Sequence, residues 1–325
     1  MATRTASFPT WPIPQSARLR RNAPLLIVYG LIIALVVFGW ANSERFLTDR
    51  NLLNILRQTA FLGTLAIGQT FVILLGGIDL SVGSLVKLSV LVAAIIMNGS
   101  SDNTLMAILA TLGLGVLVGA VHALAITRLN IAPFIVTLGT YSILRGIAFN
   151  ITTTPIGRAS PEVVTFYDQR IGPVYTLIVV FLALLLAAIF ILRRTPFGRY
   201  VYAIGGNEQV ARLSGIPVNR VKFGVYILCS LLASLTGIFL LSRSGVGDPV
   251  IGDGLELQAI TAVILGGTSL FGGRGSMIGT LGGVLLLGLT GNLLVVLNAN
   301  QWIRDLIQGA VILIAVALYK QKERQ

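Results

Sequence analysis

A carboxylate, an ammonium and an imidazole each stand inside apolar runs where they are costly, and their chemistry is the first thing to explain. Asp79 lies in LLGGIDLSVGS (Leu74 to Ser84), and no other charge occurs between Arg57 and Lys87. His122 is the only histidine of the chain. Such groups can couple to an ion gradient, cap a helix, pair with one another or touch a polar solute. In a bilayer a charged side chain costs about 2.5–3.5 kcal/mol on insertion scales, so Asp79 must face protein or water.

Gly76 and Gly77 favour the end of a helix. Asp79 is then placed to cap the next helix by accepting from the amides near Ser81 and Val82. A capped helix break is the preferred reading of Gly76, Gly77, Asp79 and Ser81. Contact with a solute is the other, and both hold if the break lines a pathway. Lys87 lies about one and a half turns into the following helix, where it reaches the cytoplasmic interface or pairs with Asp79. His122 reads as a satisfied core histidine, not a proton relay. Arg145 reads as snorkelling to the outer interface, and Glu256 as a partner of Arg243 or of a docking protein beside the outer mouth.

The usual catalytic and nucleotide-binding sets are missing. A P-loop needs Gly-Lys-Ser/Thr, whereas the four lysines follow Val86, Val221, Tyr319 and Gln321. No HExxH or Ser/His/Asp set stands out. One cysteine, Cys229, and one histidine exclude an internal disulfide and disfavour a metal centre. No cofactor is expected.

The elements that position these residues follow from composition. Of 325 residues, 55% are hydrophobic and only 11% charged, and mean hydropathy is +0.87. A soluble domain is about one quarter charged, so the chain is an integral membrane protein. Uncharged runs near the ~20 residues a spanning helix needs occur at Ala23–Ser43, Gln58–Ile78, Asn103–Thr127, Ile171–Leu192, Phe223–Ser242 and Gly275–Ile303. Shorter ones are Leu88–Ser101, Leu129–Leu144, Leu257–Gly273 and Leu306–Tyr319. The expected fold is all-α and polytopic, with about ten transmembrane helices.

With the N-terminus inside, fifteen of the 24 basic residues fall in cytoplasmic segments and seven in outer ones, with Lys87 and Arg145 in or near the membrane. This follows the positive-inside rule and puts both termini in the cytoplasm. The net charge of +12 is thereby explained by topology, not by nucleic acid. The expected organisation is a cytoplasmic tail at 1–22, one membrane domain at 23–319 and a tail at 320–325. The outer connector is Asn150–Pro173, and the only long inner loop is Arg193–Lys222.

That loop reads RRTPFGRYVYAIGGNEQVARLSGIPVNRVK. Asn207 is a good N-cap, and Glu208 adds negative charge to the first turn. Glu208 and Arg212 lie one turn apart and can pair. Gly215 is placed to end the helix in a left-handed turn, with Pro217 behind it. The short helix offers Val210, Ala211 and Leu213, either to its own protein or to a partner.

The loop resembles the coupling loop of ATP-binding-cassette importer permeases. Together, GGIDLSVGS (Gly76–Ser84), PFIVTLGTYSILRG (Pro133–Gly146), YAIGGNEQVARLSGI (Tyr202–Ile216) and AVILGGTSLFGGRGSMIGTLGG (Ala262–Gly283) resemble the ribose-type permeases of bacteria. The likeness runs from about Asn51 to the C-terminus. It implies the permease subunit of an ATP-driven importer for a monosaccharide or small polyol, in the inner membrane. Its implied partners are a cytoplasmic, tandem-domain ATPase, a periplasmic sugar-binding protein, a second permease copy or paralogue, and membrane lipid. Asn207, Glu208, Ala211, Arg212 and Gly215 would then couple to the ATPase. Gln258 stands where such permeases often carry Asp, Lys87 interrupts a usually apolar span, and His122 replaces small or amide residues. An importer permease for branched-chain amino acids or nucleosides shares the plan. Ion coupling through Asp79, Lys87 or His122 is the rival from another class.

Overall fold

The computed structural model describes residues 15–300 together with 302, 303, 306, 307, 309 and 310, with side chains from Leu25 onward. Its helices are α1 (Gln15–Asn42), α2 (Asp49–Leu74), α3 (Val82–Met97), α4 (Thr104–Arg128), α5 (Pro133–Ile151), α6 (Pro161–Asp168), α7 (Thr176–Arg194), α8 (Pro196–Gly206), α9 (Glu208–Leu213), α10 (Val218–Ser244), α11 (Leu255–Leu265) and α12 (Met277–Val296). Strands are confined to four scraps: β1 (Ile156–Arg158), β2 (Arg170–Ile171), β3 (Val174–Tyr175) and β4 (Val246–Gly247).

Each apolar run up to Gly275–Ile303 coincides with a helix, while Leu306–Tyr319 and the C-terminal tail lie largely or wholly outside the described residues. Among the described residues six helices, α1, α4, α5, α7, α10 and α12, are long and apolar enough to cross a membrane. Length and composition thus support six of the ten expected spans, and the last of the ten runs lies largely outside the described residues. The helix α3 has 16 residues and α11 only 11. The first helix also begins at Gln15, inside the stretch read as a tail.

Exposure sorts the helices. The run Leu25–Asn42 is only 11% buried, with Leu26, Ile33 and Phe38 bare. In water that surface would be unfavourable, at about 25 cal/mol per Å²; beside lipid tails it is not. The centre is α2, buried at every position from Thr59 to Leu74 and packed by α10, α12, α11 and α7. On α4 the buried residues Ala107, Thr111, Gly115, Gly119 and His122 form one stripe at helical spacing, which lies on α10. The approach there is backbone to backbone: a Cβ on Gly119 would come 2.6 Å from Ile227 Cα. Small residues are what permit such packing in a bilayer.

At one end of the bundle, β1 pairs antiparallel with β4 (Ile156 opposite Gly247), and Gly99 donates to Arg158 O at 2.9 Å. The segment Asn150–Pro173 is thus structured. It is pinned to α2 by Arg57, which meets Asp168 at 2.8 Å beneath the Tyr167 and Tyr175 rings. The opposite end carries α8, α9 and the turn between α11 and α12.

From β4 the chain dips back alongside α3. Gly247 lies against Ala94 and Leu91, and Gly252 against Gly83 and Lys87. Only then does α11 begin. The stretch Leu257–Gly273 is therefore a half-length helix entered from within the bundle, not a span entered from outside. Irregular backbone at such depth is tolerated where it is buried in protein or lines a cavity.

Candidate functional site

Two irregular segments flank α3, and the residues singled out in the sequence gather around them. The first follows α2. Gly76 adopts φ +79°. Its amide donates to Ile73 O at 2.8 Å, and that of Gly77 to Val72 O at 3.0 Å, the Schellman pattern of helix termination. Asp79 Oδ1 then accepts from the Ser81 amide at 2.9 Å and the Ser81 hydroxyl at 2.6 Å. The Gln69 side-chain amide, in the orientation that satisfies both groups, bonds the Asp79 N–H and C=O at 3.2 Å each. Thr137 of α5 donates to Ile78 O at 3.0 Å.

Gln69, Asp79, Ser81 and His122 are all fully buried. His122 Nδ1 stands 3.6 Å from Asp79 Oδ2, and the His122 ring meets Tyr226 edge-on. Neither His122 nitrogen nor Asp79 Oδ2 has a hydrogen-bond partner among the described residues. His122 is thus a core histidine, with Asp79 and the Tyr226 ring beside it.

Lys87 does not pair with Asp79 or reach a surface. Its ammonium is 2.7 Å from Asp253 Oδ1 and 4.4 Å from the Phe149 ring centroid. The Lys87 side chain is 1% exposed and that of Asp253 43%. Glu256 likewise does not meet Arg243; it is buried against Gly83 on α3, because α11 starts within the bundle. Asp253 carries little signal in the sequence, where Gly252-Asp253-Gly254 reads only as a turn. Arg145 is exposed on α5 and donates to Tyr141 Oη at 3.2 Å.

At the far end, Asn207 Oδ1 accepts from the Val210 amide at 3.0 Å and starts α9. Gly215, at φ +77°, donates to Arg212 O, and Ile216 to Ala211 O, both at 3.1 Å, a second Schellman ending. Glu208 bonds Arg212 at 3.1 Å and also Lys222 at 2.8 Å. Partial burial pushes the Glu208 carboxyl up, but Lys222 and then Arg212 outweigh this and hold it below the usual value. The helix presents Val210 and Leu213, the latter 90% exposed, whereas Ala211 is buried. Ala211 thus faces its own protein, one correction to the surface read from the sequence. Upstream, PFGRYVYAIGG forms α8, a helix absent from that reading.

Three Gly-Gly pairs from distant stretches meet where these elements converge. A Cβ on Gly205 would collide with Leu74 O and lie 2.5 Å from Gly273 N. One on Gly272 would lie 2.7 Å from Gly76 N and 2.9 Å from Gly205 O. Gly273 donates to Leu74 O at 2.9 Å, and Tyr202 Oη to Gly275 O at 3.0 Å. The loop bearing α9, the break bearing Asp79 and the α11–α12 turn therefore touch through backbone.

No described group of ligating side chains forms a metal site. The architecture is that of a multi-pass helical membrane protein. The chain belongs to the permease family described as the permease component of the branched-chain amino acid transport system, whose model matches residues 51–316. It is 42% identical to the ribose import permease of Escherichia coli K12 over 90% of this chain and 92% of that one. To the ribose import permease of Bacillus subtilis it is 43% identical, covering 90% and 91%. To the fructose import permease of Rhizobium meliloti it is 36% identical, covering 91% and 84%. No solved structure matches. The chain is thus a transport subunit and not an enzyme.

Proposed function

We propose that this chain is the inner-membrane permease of an ATP-driven importer for a monosaccharide or small polyol. The observation that carries this is its likeness, over nine-tenths of its length, to permeases that import ribose and fructose. The family description alone would equally admit a branched-chain amino acid.

In this reading the strand end faces the periplasm and receives sugar from a binding protein. The α8–α9 end faces the cytoplasm, as do both termini, and a tandem-domain ATPase docks on Val210 and Leu213. Asn207, Glu208, Arg212 and Gly215 hold that helix in shape, and Ala211 packs it down. A second permease copy completes the passage. A push on α9 reaches the Leu74–Gly76 break through the glycine contacts, because packed backbone transmits displacement with little slack. The polar break at Asp79 and Ser81 then moves against α4 and α5.

The test is reconstitution with ATPase and binding protein in liposomes. Uptake of labelled ribose should require ATP and persist with a protonophore. Leu213→Arg should abolish uptake at unchanged membrane abundance. Uptake that survives ATP depletion and collapses with the protonophore would make the chain ion-coupled instead.

A further inference from the structure

The second irregular segment holds charged groups that the helix break at Asp79 does not use. Lys87 carries three N–H donors and no acceptor. One donor is spent on Asp253, and the ammonium has no second hydrogen-bond partner among the described residues. Glu256 is 7% exposed, and its Oε2 is buried with no partner. Glu256 lies over Gly83, about one helical turn before Lys87 on the same face of α3, about 6 Å along the axis. Surplus donors and an orphan acceptor therefore belong to the same side of α3 without pairing with each other. A buried polar group left unmade is costly, so this arrangement is incomplete as it stands.

The chemistry that completes it is narrow. A group facing Lys87 must accept and one facing a carboxylate must donate. A hydroxyl does both, and two adjacent hydroxyls can bridge an ammonium and a carboxylate together. A free carboxylate cannot donate to Glu256, a phosphate brings its own negative charge against two carboxylates, and an apolar side chain satisfies neither group. Asp253, whose side chain is 43% exposed, is the open edge of the set, and α5, which buries only Thr137, Leu144 and Ala148, brings Phe149 against Lys87. On α5, Arg145 and Asn150 are exposed polar residues near its outer end, and Phe149 is half-buried.

We propose that Lys87, Asp253 and Glu256 form a binding subsite for adjacent hydroxyl groups of the passing solute. It lies between α3, α5 and the start of α11, apart from Asp79 and His122. The inference rests on the sugar-importer reading above and assigns the side chains that touch the sugar. A neutral hydroxyl suits the set, which leaves no cation free for an anionic solute: Lys87 and Asp253 offset one another, and Glu256 accepts a hydrogen bond from a hydroxyl that keeps its proton.

The test uses the complete importer in liposomes, with ribose and fructose as probes and both sugar uptake and ATP hydrolysis measured. Glu256→Gln keeps the shape but turns one acceptor oxygen into a donor, and Lys87→Met removes the donors. In each variant, uptake of the sugar that the wild type carries should fall about tenfold, the scale of one hydrogen bond to a charged group. Hydrolysis stimulated by the loaded binding protein should stay within about twofold, because the coupling end is untouched. Unchanged uptake in both variants at equal abundance overturns the subsite and leaves the importer standing. Uptake and hydrolysis falling together in both means the residues are structural only, which also overturns it. A wild type that carries neither sugar removes the sugar reading and the subsite with it.

Discussion

The two irregular segments flanking α3 solve one problem by opposite means. Both interrupt helices inside the bundle, where unpaired backbone is expensive. The break after α2 is closed mostly by backbone: a Schellman turn, the Gly273 bond to Leu74 O, and three Gly-Gly pairs in contact. The segment before α11 lies among ionisable side chains, Lys87, Asp253 and Glu256. The first should resist changes of charge and fail on the smallest increase in bulk. The second is packed as closely at Gly247 and Gly252 and should in addition respond to charge. That difference suits a mechanical junction on one side and a polar lining on the other.

The largest effect is expected at the junction. Gly205→Ala forces a methyl onto Leu74 O and Gly273 N, and overpacking typically costs about 1–3 kcal/mol. Nothing lies within 4 Å of a Cβ on the adjacent Gly206, so Gly206→Ala should be nearly silent. Thermal unfolding in detergent compares the two. Equal behaviour would mean that the glycine contact is not tight, and the contrast between the two segments would lose its basis.

The charged segment should show an asymmetry instead. Asp253→Asn leaves the buried Lys87 ammonium without its countercharge and should cost about 2 kcal/mol. Lys87→Met leaves a half-exposed Asp253 that water can serve, so the loss should stay below about 1 kcal/mol. If the two variants unfold at the same temperature, the pair is not buried from one side as described.

Asp79 lies between these extremes, being a charged residue in the backbone-held segment. Asp79→Asn keeps an oxygen for the Ser81 amide and hydroxyl, while Asp79→Ala loses both bonds. Ser81 and not Asp79 is the N-cap of α3, so the loss is that of two buried hydrogen bonds, about 1–3 kcal/mol in all, and Ala should be the less stable variant. If Asn abolishes uptake in protein that remains folded, the charge itself works in transport and the hydrogen bonding is secondary.

The smallest effect concerns pH at the coupling helix. The Glu208 carboxyl is held below its ordinary value by Lys222 and Arg212 against the rise due to burial. Its contribution is therefore complete above the unfolded carboxylate range and fades as pH falls through the lower folded value. With the side chain 41% exposed, solvent screens much of it. Hydrogen exchange of the α9 amides should accelerate beyond the intrinsic pH trend on acidification, and Glu208→Gln should remove that extra acceleration.

Much of the local structure is legible in the residues. Asn207 and Gly215 bracket α9, Gly76 ends α2, and Asp79 meets Ser81, because caps and left-handed glycine turns depend on a few neighbours. The length of α8 and the shortness of α11 are not legible. PFGRYVYAIGG mixes polar and apolar residues in a loop already counted as such, and GLELQAITAVIL is as apolar as a span that crosses fully.

By itself the sequence determined a polytopic helical membrane protein, the helix break at Gly76 to Asp79, and the shape of a short loop helix. Apolar run length and capping are properties of contiguous residues, so they survive without a fold. Only the tertiary structure decided who meets whom. Gly76, Gly205 and Gly272 touch although long stretches separate them, Lys87 takes Asp253 from 166 positions away, and Ala211 turns inward. Contacts of that kind leave no periodicity in the chain: a glycine needed for close approach reads like one needed for a turn. A lysine's partner is set by which helix packs beside it, not by which acid lies nearest in sequence.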